Sequence, residues 1–179
     1  MEFSAKSAHK HAELIALFAE TFTVSDTAEE GALVAAVVKN LLTTTAPADL
    51  YVFTLSEGDT VIGAALFSRL RYAKDPRRVF ILSPMAIATA YQGRRLGQSL
   101  LSQAHQALGA AGVEIAITYG DPAFYAKTGY QPISTDVAKA PLPLSYPHGW
   151  IGQSLTEAPF TALKGDCRCV AALNDPRIW

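Results

Sequence analysis

Tyr91-Gln92-Gly93-Arg94-Arg95-Leu96-Gly97 lies where an apolar run ends and a helical pattern begins. The run is Val79-Phe80-Ile81-Leu82, then Ser83-Pro84, then Met85-Ala86-Ile87-Ala88. The helical pattern covers about Leu96 to Ala111. A strand that feeds a glycine-spaced turn opening a helix aims several backbone N–H groups in one direction. Together with the positive end of the helix dipole they make an anion site. Arg94 and Arg95 add formal positive charge. Such a cradle suits a pyrophosphate, although the same turn also reads as a plain polar strand-to-helix connection. The dinucleotide fingerprint Gly-x-Gly-x-x-Gly is absent, and so is Gly-x-x-x-x-Gly-Lys-Ser/Thr, so the ordinary nucleotide folds are not supported.

Around this turn the chain alternates clear elements. Leu14, Ile15, Leu17 and Phe18 make an amphipathic helix from near Ser7 to Phe22. A second helix spans about Thr27 to Leu42, with Asp26 and Thr27 as cap candidates and Glu29 and Glu30 in its first turn. Leu50 to Ser56 and Thr60 to Arg71 read as a hairpin closed by Glu57-Gly58-Asp59. Gly112 stops the central helix, and Val113 to Tyr119 is the next strand. Asp121-Pro122 opens a short helix that ends at Gly129, where glycine suits a left-handed stop. The proline-rich segment from Pro141 to Gly149 reads as a surface loop, with late strands at Leu155 to Ala158 and Cys167 to Leu173. This order argues an α+β fold: one domain over residues 1–179, a mixed central sheet flanked by helices.

Composition narrows the function classes. Hydrophobic residues make up 50% and charged ones 17%, enough apolar material for a core and too little charge for disorder. The net charge is −1, and no long basic run offers a field for nucleic acid. No stretch approaches the roughly 18 apolar residues of a membrane span, and the first ten residues lack the apolar core of a signal peptide. Cys167 and Cys169 are too close in a strand-like segment for an easy disulfide and have no histidine neighbours for zinc. Two free thiols, a cytoplasmic location and no metal are expected.

Three stretches resemble the GNAT superfamily of N-acetyltransferases. The family's acyl-CoA frame, Gln/Arg-x-x-Gly-x-Gly/Ala between a strand and a helix, is matched by Gln92-Gly93-Arg94-Arg95-Leu96-Gly97. The strand before it ends Met85-Ala86-Ile87-Ala88, similar to the family's Leu-Ala-Val-x-Pro. Asp121-Pro122-Ala123-Phe124-Tyr125-Ala126-Lys127-Thr128-Gly129-Tyr130 resembles its Phe-Tyr-x-x-x-Gly-Phe segment. Residues 50–132 carry the likeness. Gly120-Asp121-Pro122 resembles a bacterial branch of small acetyltransferases, in which residues 131–179 would form a C-terminal extension over the acceptor side.

The resemblance implies an enzyme that transfers acetyl from acetyl-CoA to a primary amine of a small molecule or peptide. It implies that Met85, Ala86, Ile87, Gln92, Gly93, Arg94, Arg95, Leu96, Gly97 and Gln98 bind the cosubstrate. It also implies that Tyr125 is the acid for the leaving thiolate. Tyr125 otherwise reads as an aromatic packing beside Phe124. Arg95 stands at the family's middle glycine, so it either touches a phosphate of CoA or is a solvated residue in a turn that needs no glycine. The retained Gln92, Gly93, Leu96 and Gly97 argue against a decayed site. No carboxylate lies on Val79–Ser83 to serve as a base. Glu20, Asp26, Glu29 and Glu30 read as caps or solvated charges, and His148, His105, His9 and His11 as exposed. Tyr91 reads as packing on the central helix, and Tyr119 as core rather than a border of the cleft. Dimers are common in the resembled family. The different functional class is a non-catalytic acyl-CoA-binding or sensing domain of the same fold.

Overall fold

A helix hairpin built on one glycine sets the N-terminal architecture. The computed structural model of the chain describes residues 1–5 and 10–179. Helix α1 is His11–Ser25 and helix α2 is Ala28–Thr44. The expected start of α1 near Ser7, and His9, lie outside the described residues. Leu14, Leu17 and Phe18 of α1 are buried, as are Val34, Val37, Val38 and Leu41 of α2. A Cβ at Gly31 would sit 2.0 Å from Thr23 Oγ1 and 2.7 Å from the Ala19 carbonyl oxygen. Only glycine lets the two helix backbones approach this closely. Thr27 caps α2: its Oγ1 accepts from the Glu30 N–H at 3.1 Å, as the Ser/Thr-x-x-Glu pattern predicts. Asp26 is not a cap.

The chain divides into two compact units, residues 1–67 with 84–104 and residues 68–83 with 105–179. The first holds α1 and α2, a short strand β1 (Glu2–Ser4), strand β2 (Leu50–Glu57) and most of β3 (Thr60–Tyr72). Strand β1 pairs antiparallel with β2, Glu2 opposite Ser56, and Phe3 stacks on Phe53 at 5.7 Å. Three residues are too few for a periodic signal, so this strand is invisible in the sequence. Phe53 also meets Phe67 edge to face at 5.8 Å, which fills the core under the β2–β3 hairpin. The expected turn is there, with Gly58 at φ 57°.

Strand β4 (Val79–Ile87) and helix α3 (Leu96–Ala110) run through both units, as β3 does. In the second unit β4 pairs in parallel with β5 (Ile115–Tyr119), Val79 opposite Ile115 and Leu82 opposite Thr118. Strand β7 (Trp150–Ser154) joins β5 antiparallel, and β6 (Gln131–Pro132) joins β7. Parallel and antiparallel pairs together make the mixed sheet of an α+β fold, as expected. Gly112, at φ 79°, ends α3, with the Val113 N–H donating to the Leu108 carbonyl at 2.9 Å.

Two late strands differ from expectation. The sheet takes Trp150–Ser154, not Leu155–Ala158. Leu155 makes the last sheet-like bond, to the Glu114 carbonyl at 2.8 Å. Ser154 and Thr156 then satisfy the backbone with their hydroxyls, which turns the chain away. The stretch Cys167–Leu173 yields only a two-residue strand, β8 (Cys167–Arg168), on Arg71 and Tyr72 of β3, followed by a 3-10 turn at Ala171–Leu173. Both cysteines are free, as expected. Cys167 is buried, and burial pushes its thiol up to about 12. Among the described residues no helix is long and apolar enough to cross a membrane.

The 159–166 segment is fastened by Asp75. Its carboxylate takes Arg77 at 2.7 and 2.8 Å and the Lys164 N–H at 3.2 Å, while Arg77 reaches the carbonyls of Thr161 and Ala162. The Arg77 hydrogen bond holds Asp75 near 2, against burial that acts the other way. A carboxyl lowered in the folded state stabilises the fold above its ordinary pKa and loses that contribution as pH falls through its folded value. The stability conferred by this clasp should therefore fade between about pH 4 and pH 2. Asp75→Asn should lower the chemical unfolding midpoint at pH 7 and flatten its decline in that window, as followed by circular dichroism in urea.

Candidate functional site

The end of β4 delivers the chain to the turn through Met85, half-buried, and Ala86 and Ile87, both buried. A 3-10 turn at Thr89–Tyr91 follows. The Gln92 side-chain amide donates back to the Ile87 carbonyl at 3.0 Å, so Gln92 braces the turn against the strand that precedes it. Tyr91, expected to pack on the central helix, is half-buried. Its hydroxyl donates to the Glu57 carboxylate at 2.6 Å, at the end of β2. The Arg94 guanidinium lies 5.2 Å over the Tyr91 ring and donates to the Ala90 carbonyl.

Two residues of the turn adopt left-handed backbone: Gly93 at φ 75° and Arg95 at φ 58°. Among the described residues Arg95 is the only non-glycine that does so. For an L-residue this conformation costs on the order of 1–2 kcal/mol. The turn therefore keeps the shape that a glycine would supply, and the idea that it needs no glycine is corrected. Helix α3 then starts, with the Ser99 N–H on the Arg95 carbonyl at 3.1 Å. The first N–H groups of any helix lack intrahelical acceptors. Here they open beside the exposed residues Gln92, Gly93, Arg94 and Arg95. Leu96 and Gln98 are half-buried and Gly97 is buried, so they face the packing of α3.

In the second unit, Asp121 caps helix α4 (Pro122–Tyr125) by accepting from the Ala123 N–H at 2.9 Å. Gly129 closes the segment at φ 98°. Both features follow the sequence. Tyr125 ends α4 with its ring laid over Gly120, where a Cβ would come 2.9 Å from Tyr125 Cε2. Its ring also meets Phe124 at 5.0 Å and Tyr130 at 5.6 Å, both edge to face. Tyr125 as a whole is half-buried. Burial pushes the phenol up to about 12, opposed by a hydrogen bond with Thr118 and reinforced by Asp121. Thr118 in turn donates to the Leu82 carbonyl at 3.0 Å.

Several readings of neighbouring residues change. His105 is not a surface residue. It is half-buried on α3, with Nε2 3.1 Å from the Tyr130 hydroxyl, and burial lowers it to about 4. Gln153 of β7 lies against the same imidazole, 3.3 Å from Nε2. This group escaped the sequence because its members are far apart in the chain. A tyrosine where the resembled family has phenylalanine was the one hint of a buried hydroxyl in need of a partner. Tyr119 is half-buried, not core. Its hydroxyl accepts from the Tyr146 N–H at 2.5 Å and lies 3.1 Å from Ser145 Oγ, pinning the proline-rich loop. His148 in that loop is exposed, as expected, while His11 is half-buried. Glu20, Asp26 and Glu29 are exposed, as solvated charges should be, and Glu30 is half-buried. No group of three or more metal-ligating side chains occurs among the described residues.

Residues 48–132 match the model of the acetyltransferase (GNAT) domain. Over 113 residues the chain is 31% identical to YjhQ of Escherichia coli strain K12, an uncharacterized N-acetyltransferase. That match takes in 60% of this chain and 62% of YjhQ, so the chain spans less than two thirds of that relative's length. Two crystal structures share the fold. The GNAT family N-acetyltransferase YhbS of Escherichia coli, in complex with CoA, superposes with a TM-score of 0.79 at 18% identity, covering 97% of this chain and 92% of that one. A GNAT family acetyltransferase of Brucella melitensis, in complex with acetyl-CoA, gives 0.70 at 19% identity, covering 97% of each chain. The bracing glutamine, the left-handed turn and the strand and helix on either side of it all stand inside the region that matches the acetyltransferase (GNAT) domain.

Proposed function

We propose that this chain is an acetyl-CoA-dependent N-acetyltransferase (EC 2.3.1.-), acting on a primary amine of a small molecule or peptide. The observation that carries the proposal is the pair of left-handed residues, Gly93 and Arg95, at the opening of α3. Left-handed backbone is one way to aim neighbouring N–H groups together at the positive end of a helix, which is what a pyrophosphate requires. CoA or acetyl-CoA is bound by the YhbS and Brucella proteins of the same fold. In this reading Gln92, Gly93, Arg94, Arg95, Leu96, Gly97 and Gln98 form the pyrophosphate end of the site. Met85, Ala86 and Ile87 hold the pantetheine arm and the thioester oxygen through backbone groups. Residues 1–179 act as one catalytic domain, and residues 131–179 shape the acceptor side. We place the enzyme in the cytoplasm, where its two cysteines stay reduced.

The chemistry follows from the groups present. A neutral amine attacks the thioester carbon, and the carbonyl electrons move to oxygen. Backbone N–H groups aimed at that oxygen are worth a few kcal/mol in such a step. Collapse of the tetrahedral species breaks the C–S bond. The nitrogen must lose one proton and the sulfur must gain one, so the reaction is proton-neutral overall. Tyr125 is the proposed acid at sulfur. A phenol near 12 is a weaker acid than a thiol near 8.5. Its contribution is therefore a hydrogen bond that strengthens as charge grows on sulfur, with the proton following as the bond breaks and water, which takes up the amine's proton, restoring the phenol. A phenol so raised stays protonated throughout the neutral range, so the donor is always ready. With no carboxylate on Val79–Ser83, water receives the amine's proton.

Tyr125→Phe should lower turnover by roughly 10²-fold, measured as thiol release from acetyl-CoA across a panel of primary amines. An unchanged rate would remove Tyr125 from the reaction. CoA binding without turnover on any amine would instead favour a binding or sensing domain. Arg95→Gly should raise the unfolding free energy by up to about 1 kcal/mol, because it relieves the left-handed strain. The same change should weaken CoA binding by calorimetry, with a loss that shrinks at high salt. Undiminished affinity would mean that Arg95 touches no phosphate.

A further inference from the structure

We propose that His105, Tyr130 and Gln153 are positioning residues that hold the ring of Tyr125 in one orientation. The inference rests on the reading of Tyr125 as the donor at sulfur, and it names the parts that keep that donor aimed. The Tyr125 hydroxyl meets Thr118, and its ring lies against Phe124, Gly120 and Tyr130. Phe124 precedes it in α4 and moves with it. Gly120 offers bare backbone, which limits approach from one side but makes no directional contact. Tyr130 is the remaining wall, 5.6 Å away and at 69° to the Tyr125 ring.

Tyr130 can act as a wall only if it is itself fixed. It is 1% exposed, and a buried hydroxyl without a partner is costly. His105 supplies the partner at 3.1 Å and packs its ring edge to face at 5.3 Å. The imidazole is neutral at ordinary pH, so it offers one acceptor and one donor and suits a hydroxyl in either direction. Gln153 completes the set. Its side-chain nitrogen lies 3.3 Å from His105 Nε2 and donates to the Thr128 carbonyl at 3.2 Å. Its oxygen lies so near Gly129 that a Cβ there would approach to 2.6 Å. Helix α3, strand β7 and the turn after α4 are thus tied together directly behind Tyr125. Rotation of Tyr125 toward Tyr130 would have to break this set. A displacement of about 1 Å in a catalytic group can cost 10²-fold in rate, which gives the arrangement a function beyond packing.

The test reads Tyr125 directly. 3-Fluorotyrosine placed at position 125 of the full chain should give one narrow fluorine resonance, with and without added CoA. Tyr130→Phe, which removes a single oxygen, and His105→Ala should broaden or split that resonance. In the otherwise native protein both should lower kcat by roughly tenfold to a hundredfold with KM for acetyl-CoA unchanged. His105→Gln, which keeps a polar group at the Nε2 position, should restore the narrow signal. A resonance that stays narrow and unshifted in Tyr130→Phe overturns the proposal, whether or not His105→Ala folds. Failure of the underlying reading looks different: Tyr125→Phe would turn over normally while the fluorine signal still responded to Tyr130 and His105.

Discussion

The first N–H groups of α3 have no carbonyl acceptors within their own helix, and what precedes them decides whether they become a binding site or a solvated end. Here the preceding turn is forced into left-handed backbone at two positions, and one is an arginine. A non-glycine in that conformation persists only where its surroundings hold it there. The surroundings are visible: the Gln92 amide on the Ile87 carbonyl, Tyr91 on Glu57, and Arg94 folded across Tyr91 toward Ala90. These contacts use up the side chains nearest the turn, so its backbone stays open. Arg95 supplies charge where the usual glycine would supply only shape.

The second unit holds a hydroxyl whose titration is governed by burial. Asp121 and Pro122 start a helix one turn long, and Gly129 ends the segment before it can drift. Enclosure raises the phenol's pKa, and the Thr118 hydroxyl tempers that rise. The result is a donor that keeps its proton at neutral pH.

Much of this was legible from residue patterns with local causes. The Thr27 cap, the Gly58 hairpin, the Gly112 stop and the Asp121-Pro122…Gly129 segment each depend on a few neighbouring residues, and each was placed correctly. The turn that opens α3 was legible by likeness to a family. What failed depends on distant partners. Strand β1 exists because Phe3 finds Phe53, and β7 begins at Trp150 because β5 offers an edge there. His105 sits on a helix whose pattern gives no sign that Tyr130 and Gln153 arrive from elsewhere. Arg95 was recognised as a departure, but a sequence does not display a dihedral angle.

Cys167 carries a chemical consequence of its own. An acyl group can pass from a thioester to a protein only if a nucleophile is ready to receive it, and for cysteine that nucleophile is the thiolate. Burial beside Tyr72 keeps Cys167 in its thiol form far above neutral pH, and Cys169 is shifted in the same direction. The two sulfurs are thus poor way-stations for a travelling acyl group. The fold withholds the means for a two-stage, acyl-enzyme route through its cysteines, which accords with the direct attack proposed above.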